Sequence, residues 1–575
     1  MGNGLLQGGK LRLAQGHRHG FSGHFARPLV TAATGSRRGA VEHRPVTDGS
    51  GPRQALAQTV VFPLQHRQGG WIFFHFPQFT LAVKRHSSYT VPMNTPFFPA
   101  FRSRLAALGR RTARLHQATL AQLREQLRDF LPAPLLSSED EGPNSRDRIF
   151  SLGFTFECFL WQMLKPGTAC REVVRQVQAL CTLAGWGTIS EGDSAYIQAR
   201  LRFPKERLEK ALTATAQAAD RRVGAGGQLQ GRPVKVVDGS STQLADTAAN
   251  QKRYPQPSTQ KRGCGFPLMK LAVLMSLTSG AVLNVLTGNL HDHDLRLLRA
   301  LWDQLKTGDI LLGDRAYGEF TTLAGLVPLG VDVVARLHQR RRVDFRKAKL
   351  LGKNDGLFVW AKPCQQSDIL TSDEWGLLPA EITVRIIRFT ATIRGFRGRQ
   401  LTLVTTLLDA ELYPAAELVA LYARRWRLEL CLRDLKTTMG MEALRCKSPA
   451  MAEKELLAYL VAHNLLRCVM AAAVAQHEVD LERVSFKGSV DAVRQYSAAI
   501  GAARNKTLRQ QLWDDLLFDL ARDLVRHRPN RREPRAVKRR PKPYPLLNKP
   551  RHKFVEISHR SRYWKGRPRN YRDLN

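Results

Sequence analysis

The chain has 575 residues, a hydrophobic share of 43% and a formal charge of +40. That length is several times the usual ~150 residues per domain and implies more than one, while the hydrophobic share excludes a wholly disordered chain. The basic excess points to a polyanionic partner, nucleic acid before membrane, without saying whether the protein coats DNA or acts on it. The excess is uneven: residues 1–92 carry a net +9 and residues 526–575 a net +15, leaving +16 for the 433 residues between.

Residues 1–92 hold 13 of the 43 Gly and 7 of the 16 His, and neither helical nor strand periodicity persists in them. They read as a leader, either disordered or spurious; the second alternative, with the true chain starting at Met93, is preferred. Residues 93–218 read as a helical region able to bind DNA, although a plain bundle has the same pattern. Helical spacing covers 101–131, an acidic linker 137–148 follows, a helix over 147–185 breaks at Pro166-Gly167, and a helix pair over 190–218 breaks near Pro204. The Gly-rich stretch 217–233 is a linker and not a phosphate loop, since no strand precedes it and no Gly-Lys-Ser/Thr follows.

From Val234 the pattern is α/β. A strand at 234–237 runs into Asp238, and β-rich runs at 269–277 and 281–286 form a hairpin about Thr278-Ser279-Gly280. A helix is expected at 294–305, a strand at 309–312 ending in Gly313-Asp314, a helix at 320–326 and a strand at 331–337. Segment 341–408 reads as a β-rich insertion. One helix is expected over 413–436 with Pro414 in its first turn. Helices at 450–476 and 507–526 follow, the last with Leu508, Leu512, Leu516, Leu520 and Leu524 on one stripe. That stripe suits a core helix better than a dimer contact. The resulting division is 1–92 leader, 93–218 helical region, 219–340 with 409–480 catalytic core, 341–408 insertion, 481–525 helical region and 526–575 basic tail. The tail interleaves Pro with Arg and Lys and would bind phosphates without sequence preference.

Eight scattered cysteines include no C-x-x-C pair, so no zinc or redox motif is visible. No signal-peptide run is present, and the longest apolar stretch, 456–475, contains His463, Asn464 and Arg467; a buried helix is expected there and no membrane association.

Three acids carry the chemistry. Asp238 and Asp314 each end a predicted strand, and open α/β sheets place active sites at strand carboxyl ends. Two bare carboxylates on neighbouring strands favour a divalent metal. At about 100° per residue, Tyr422, Arg425, Glu429 and Lys436 lie within about 60° on one helix face. Glu429 can complete a metal site while Arg425 and Lys436 hold phosphates. The plainer reading of that face is a solvent-exposed Arg425–Glu429 ion pair.

The spacing Tyr-x2-Arg-x3-Glu-x6-Lys at Tyr422, Arg425, Glu429 and Lys436, with Asp238-Gly239-Ser240 and Gly313-Asp314-Arg315-Ala316-Tyr317 upstream in the same order, resembles the Y-R-E-K transposases of bacterial insertion sequences, the insertion sequence four family. The resemblance covers roughly 147–526. It implies a ribonuclease-H-like core, a catalytic and metal-binding triad of Asp238, Asp314 and Glu429, and two Mg2+ or Mn2+ ions. It further implies DNA contacts by Tyr422, Arg425 and Lys436, and end cutting through a hairpin. The implied partners are double-stranded DNA, both terminal inverted repeats and target, and a second copy in a homodimeric synaptic complex. The implied place is the bacterial cytoplasm, at the nucleoid. A non-catalytic DNA-binding descendant and a nuclease without transposition are the competing readings.

Further candidates are weaker. Arg315, Tyr317 and Arg336 could position DNA. Trp360, or Trp375, could stack on a flipped base, against a role in a satellite core. Lys252, Arg253, Lys261 and Arg262 could follow the DNA backbone. His291-Asp292-His293-Asp294 reads first as a helix N-cap, through Asp292 or Asp294, and only second as a metal box, and Asp246 reads as a solvated loop acid.

Overall fold

A computed structural model describes residues 71–76, 79–84, 130–132, 149–183, 189–224, 228–261, 263–292, 294–367, 369–391, 399–503, 505–526 and a few positions near the C terminus. The expectations for 101–129, 137–148 and most of the basic tail, and those for His293 and Arg262, lie outside the described residues. The chain divides into two compact units, Met1–Pro92 and Met93–Asn575. Within the first, β1 (Trp71–Phe76) and β2 (Phe79–Lys84) pair antiparallel as a tight hairpin, a local pattern the sequence reading passed over.

The second unit opens with four helices: α1 (Leu152–Leu164), α2 (Cys170–Leu183), α3 (Ser194–Arg202) and α4 (Lys205–Val223). The breaks fall where Pro166-Gly167 and Pro204 place them. α4 runs further than expected, through half of the supposed Gly linker, and stops at Gly224, whose φ of 67° is one that L residues avoid.

Next come β3 (Val234–Gln243), α5 (Ala248–Arg253), β4 (Leu268–Ser276), β5 (Val282–Gly288), α6 (Asp294–Arg299), β6 (Ile310–Gly313), α7 (Phe320–Leu326) and β7 (Asp332–Arg336). β3, β4 and β5 are antiparallel neighbours, and β6 and β7 join parallel beside β3, giving the order β5-β4-β3-β6-β7. That hairpin start with parallel additions is the mixed α/β arrangement expected, and it fits a ribonuclease-H-like core. The helix expected at 294–305 is shorter: it ends at Arg299, and a 3-10 turn at Trp302–Gln304 follows.

Segment 341–408 contributes β8 (Lys349–Gly352), β9 (Asp355–Ala361), α8 (Ser372–Leu377), β10 (Glu381–Ala391) and β11 (Arg399–Thr405). It continues the core sheet. β11 pairs antiparallel with β7, and β10, β9 and β8 follow, making one nine-stranded sheet.

The expected single helix over 413–436 is three pieces: α9 (Ala415–Ala423), α10 (Trp426–Arg433) and a π turn over Asp434–Thr438. Between α9 and α10 the backbone tightens, with Arg425 N–H donating to Tyr422 O and Arg427 N–H to Arg424 O. The chain closes with α11 (Pro449–His477), α12 (Phe486–Ala502) and α13 (Lys506–Arg522). α12 falls inside the 481–525 helical region, of which the sequence reading singled out only the following helix. Ser485 caps α12, accepting from Gly488 N–H, but its Gly, Ser and Ala content blurs the helical period.

Strand alternation sorts the sheet residues into two cores. Val234, Val236, Leu271, Val273, Met275, Ile310 and Leu312 face α4 and α11, while Val237, Leu274, Leu311, Val333 and Ala335 face α7 and Trp302. α11 is the one described helix long and apolar enough to cross a membrane, and 83% of its apolar window is buried inside the protein. Asn464 ties it down: its side chain accepts from Val282 N–H at 2.8 Å and donates to Val282 O at 2.8 Å. In α13 the leucine stripe is core at Leu516 and Leu520, whereas Leu508 is exposed.

Candidate active site

β3 and β6 are parallel and in register, with Val236 opposite Leu312. Side chains two residues apart share a face of a strand. Asp238 and Asp314 each lie two residues beyond that pair, so both carboxylates leave the sheet on the face that Val236 and Leu312 give to the helices. Asp238 does not end its strand, as the sequence suggested. β3 runs on to Gln243 along β4, and it is the parallel pairing with β6 that stops at Val236.

Asp314 follows the last residue of β6. Its Oδ1 accepts from Ala316 N–H at 2.7 Å, which holds the carboxylate over the turn. Gly313 is required here, because a Cβ would lie 2.5 Å from the Cβ of Tyr317. Tyr317 folds back over the strand end and is buried, so it shapes the turn and does not face DNA. Arg315 is exposed, its guanidinium 3.4 Å from the side-chain oxygen of Gln339.

The helical side supplies the rest. Arg425 Nη1 donates to Asp238 Oδ2 at 3.1 Å, and Arg425 Nη2 donates to Glu429 Oε1 at 2.9 Å. The i,i+4 ion pair expected on a solvent face is thus half of a bridge from helix to sheet. Tyr422 lies against the same guanidinium, 6.0 Å from its ring centre. Burial lifts the Asp238 carboxyl above its usual range; the Gly239 N–H and Arg425 oppose that, and Asp314 and Glu429 add to it. Asp238 therefore feels both other acids. Burial also raises Tyr422, with Arg425 and Arg336 opposing and Asp314 reinforcing. Burial works against the charge of Arg425, but Tyr422, Asp238 and Glu429 outweigh it and its pKa is raised. Lys436 sits in the π turn, where burial lowers its amine against the pull of Glu442.

Three carboxylates against one guanidinium leave excess negative charge in a half-buried setting, the donor chemistry a divalent cation takes. Among the described residues no three His, Cys, Asp or Glu side chains converge closely enough to hold one ion; Arg425 stands between Asp238 and Glu429.

Other expectations separate here. Trp360 is 8% exposed in the second core, with the Arg341 guanidinium 3.9 Å from its ring centre, so here the ring packs as a core residue under a cation. Trp375 packs against the same core. Before α6, Asp292 Oδ2 accepts from Asn289 N–H at 2.6 Å, so this carboxylate closes a turn backwards. Asp246 accepts from Gln251 Nε2, and Lys252, Arg253 and Lys261 are exposed. Sequence reasoning missed Trp426, which is 57% exposed one position after Arg425; only its neighbour in the motif could have drawn attention to it.

Residues 229–465 match the transposase DDE domain family. The chain is similar to the transposase InsG for insertion sequence element IS4 of Escherichia coli (strain K12), with 29% identity over 435 residues covering 74% of this chain and 94% of that relative. A search of solved structures finds the piggyBac transposase synaptic complex with hairpin DNA at 9% identity and a TM-score of 0.36, over 68% of this chain and 84% of that one.

Proposed function

From the premise that the chain is a DNA transposase of the DDE kind, related to that of insertion sequence four, we propose that Asp238, Asp314 and Glu429 are its catalytic acids. They cut and rejoin phosphodiesters at the ends of a mobile element. The observation that carries this reading is the convergence at Asp238, which feels both Asp314 and Glu429 and shares Arg425 with Glu429. The three acids would hold two Mg2+ or Mn2+ ions, which supply activation of the attacking oxygen and stabilisation of the leaving one when bound.

The chain's own groups place the substrate. Arg425 presents a planar fork that matches a phosphate in two hydrogen bonds, and Tyr422 beside it offers a hydroxyl. Arg315 is exposed beside Asp314 and meets the DNA backbone. Trp426 offers an apolar face for a base or sugar next to Arg425, and Lys436 contributes charge further along. Water and a DNA 3′-hydroxyl can serve as nucleophile in turn, since one set of acids supports cleavage and strand transfer. Two copies would pair the two ends in a synaptic dimer on double-stranded DNA. Intact acids at all three positions argue against a non-catalytic DNA-binding descendant.

The test is cleavage of a duplex carrying the element's terminal inverted repeats, with Mg2+ present. Wild type is expected to nick and release the end. Asp314→Ala is expected to lose at least about 10^3-fold, the several kcal/mol a metal centre contributes. Undiminished cleavage by that variant would sink the assignment.

A further inference from the structure

Arg425 occupies a position that a phosphate ligand alone does not explain. Its two terminal nitrogens are both spent on acids of the site, Nη1 on Asp238 of the sheet and Nη2 on Glu429 one helical turn ahead. Its side chain is only 15% exposed. The two acids come from segments 191 positions apart in the chain, and this guanidinium bridges them. A divalent ion needs the same carboxylate oxygens, and oxygens sharing one Mg2+ at 2.0–2.1 Å stand at most about 4.2 Å apart. With the guanidinium between them, the described acids do not converge on a common point. A phosphate competes for Arg425 on better terms, because it offers the planar fork two oxygens of one group.

We propose that Arg425 is a resident counter-cation that keeps Asp238 and Glu429 apart until a DNA phosphate draws its guanidinium away. Metal loading is thereby coupled to DNA binding. The inference rests on the triad reading above and deepens it. In the DNA-free protein Arg425 lowers metal affinity. Once a backbone phosphate takes the fork, both carboxylates turn to the ion, and Asp314 joins them. Linkage requires the converse as well: bound metal releases Arg425 and tightens the hold on DNA by the same factor. Such a device would leave the free protein poorly armed against DNA it has not yet seated.

The test is Mn2+ binding to the purified full-length, DNA-free protein, read by calorimetry and by the electron paramagnetic resonance signal of free Mn2+. Arg425→Met and Arg425→Lys are expected to bind Mn2+ about 10-fold more tightly than wild type, within the range of ordinary coupling factors. The lysine variant keeps the charge and loses the fork, so its gain reports the bridge and not the field. Arg336→Met removes a nearby cation that acts on Tyr422 and is expected to give less than half that gain. Two results overturn the inference alone: acid-dependent binding that is no tighter in either Arg425 variant, or a gain in Arg336→Met equal to that in Arg425→Lys. Binding that Asp238→Asn and Glu429→Gln leave unchanged in every background overturns the inference together with the triad reading beneath it.

Discussion

Gly313 shows how one residue without a side chain sets the position of a functional one. It ends β6, directly before Asp314, and the ring of Tyr317 lies where its Cβ would be. Gly313→Ala is expected to cost about 1–3 kcal/mol in urea unfolding, the usual penalty of forcing extra atoms into a packed place. It should also displace the Asp314 turn and reduce cleavage. In Gly313→Ala with Tyr317→Gly the clashing Cβ and ring are both gone, so the double variant should lose less stability than the sum of the two single losses; strict additivity would show that the contact is not the reason for the glycine. Asp238 and Asp314 stood out in the sequence because each follows an apolar β-rich run, although β3 continues past Asp238. The exposure of Trp360 and Trp426 was not legible there: the first is buried and the second is exposed. Composition cannot tell which face of β9 meets the second core, nor that the residue after Arg425 points outward.

Between residues and fold, two joints hold the Glu429 helix. Arg385 of β10 is fully buried, pairs with Asp355 of β9 through Nε at 2.8 Å and Nη2 at 2.5 Å, and donates from Nη1 to Tyr413 O at 2.7 Å. It thereby fastens the insertion strands to the chain entering α9. Arg385→Ala would strand a buried carboxylate and is expected to cost about 3–5 kcal/mol by chemical denaturation, whereas Arg385→Met with Asp355→Leu should cost less. The second joint is His463 of α11, whose Nε2 lies 3.5 Å from the Cys431 sulfur of α10. Burial, with Arg467 nearby, pushes its imidazole down to about 3 from an ordinary 6.5. Above pH 6.5 the ring is neutral folded or unfolded and its contribution is complete. As pH falls from 6.5 towards 3 the unfolded chain takes a proton that the folded one refuses, and stability is lost. Between pH 7 and pH 5 the loss should be roughly 2 kcal/mol. Unfolding free energies of wild type and His463→Leu measured across that interval should differ in slope, and parallel curves would remove His463 from the account. Neither joint was visible beforehand. Pairing Arg385 with Asp355 requires the register of β9 and β10, and the broken helix over 413–436 depends on tightened and widened turns that no residue preference announces.

At the scale of the molecule, the order of strands was readable because β-rich and helical runs alternate cleanly from Val234 to Leu337. The continuation of the sheet through 341–408 was not, since pairing of β11 with β7 joins residues some 70 positions apart. Charge is the other molecular property, and it acts in two ways. Around the site the acids outnumber Arg425 three to one, so these groups add little to general DNA affinity. The net +15 of residues 526–575 has no such partners in sequence, with only Glu533, Glu556 and Asp573 against 18 basic residues. Binding through such a segment releases counterions, and the logarithm of affinity falls with the logarithm of salt by about 0.9 per phosphate neutralised. If a third of that net charge meets phosphates, removing residues 526–575 should make the slope shallower by about 4 on a random duplex. Affinity at low salt should fall with it. Acid-dependent Mn2+ binding should not change, because none of its groups is in the tail. Fluorescence anisotropy across a salt series, wild type against the truncated chain, measures the slope. An unchanged slope would assign the sequence-independent DNA affinity to the charge that precedes the tail, the +16 of residues 93–525 with the +9 of residues 1–92.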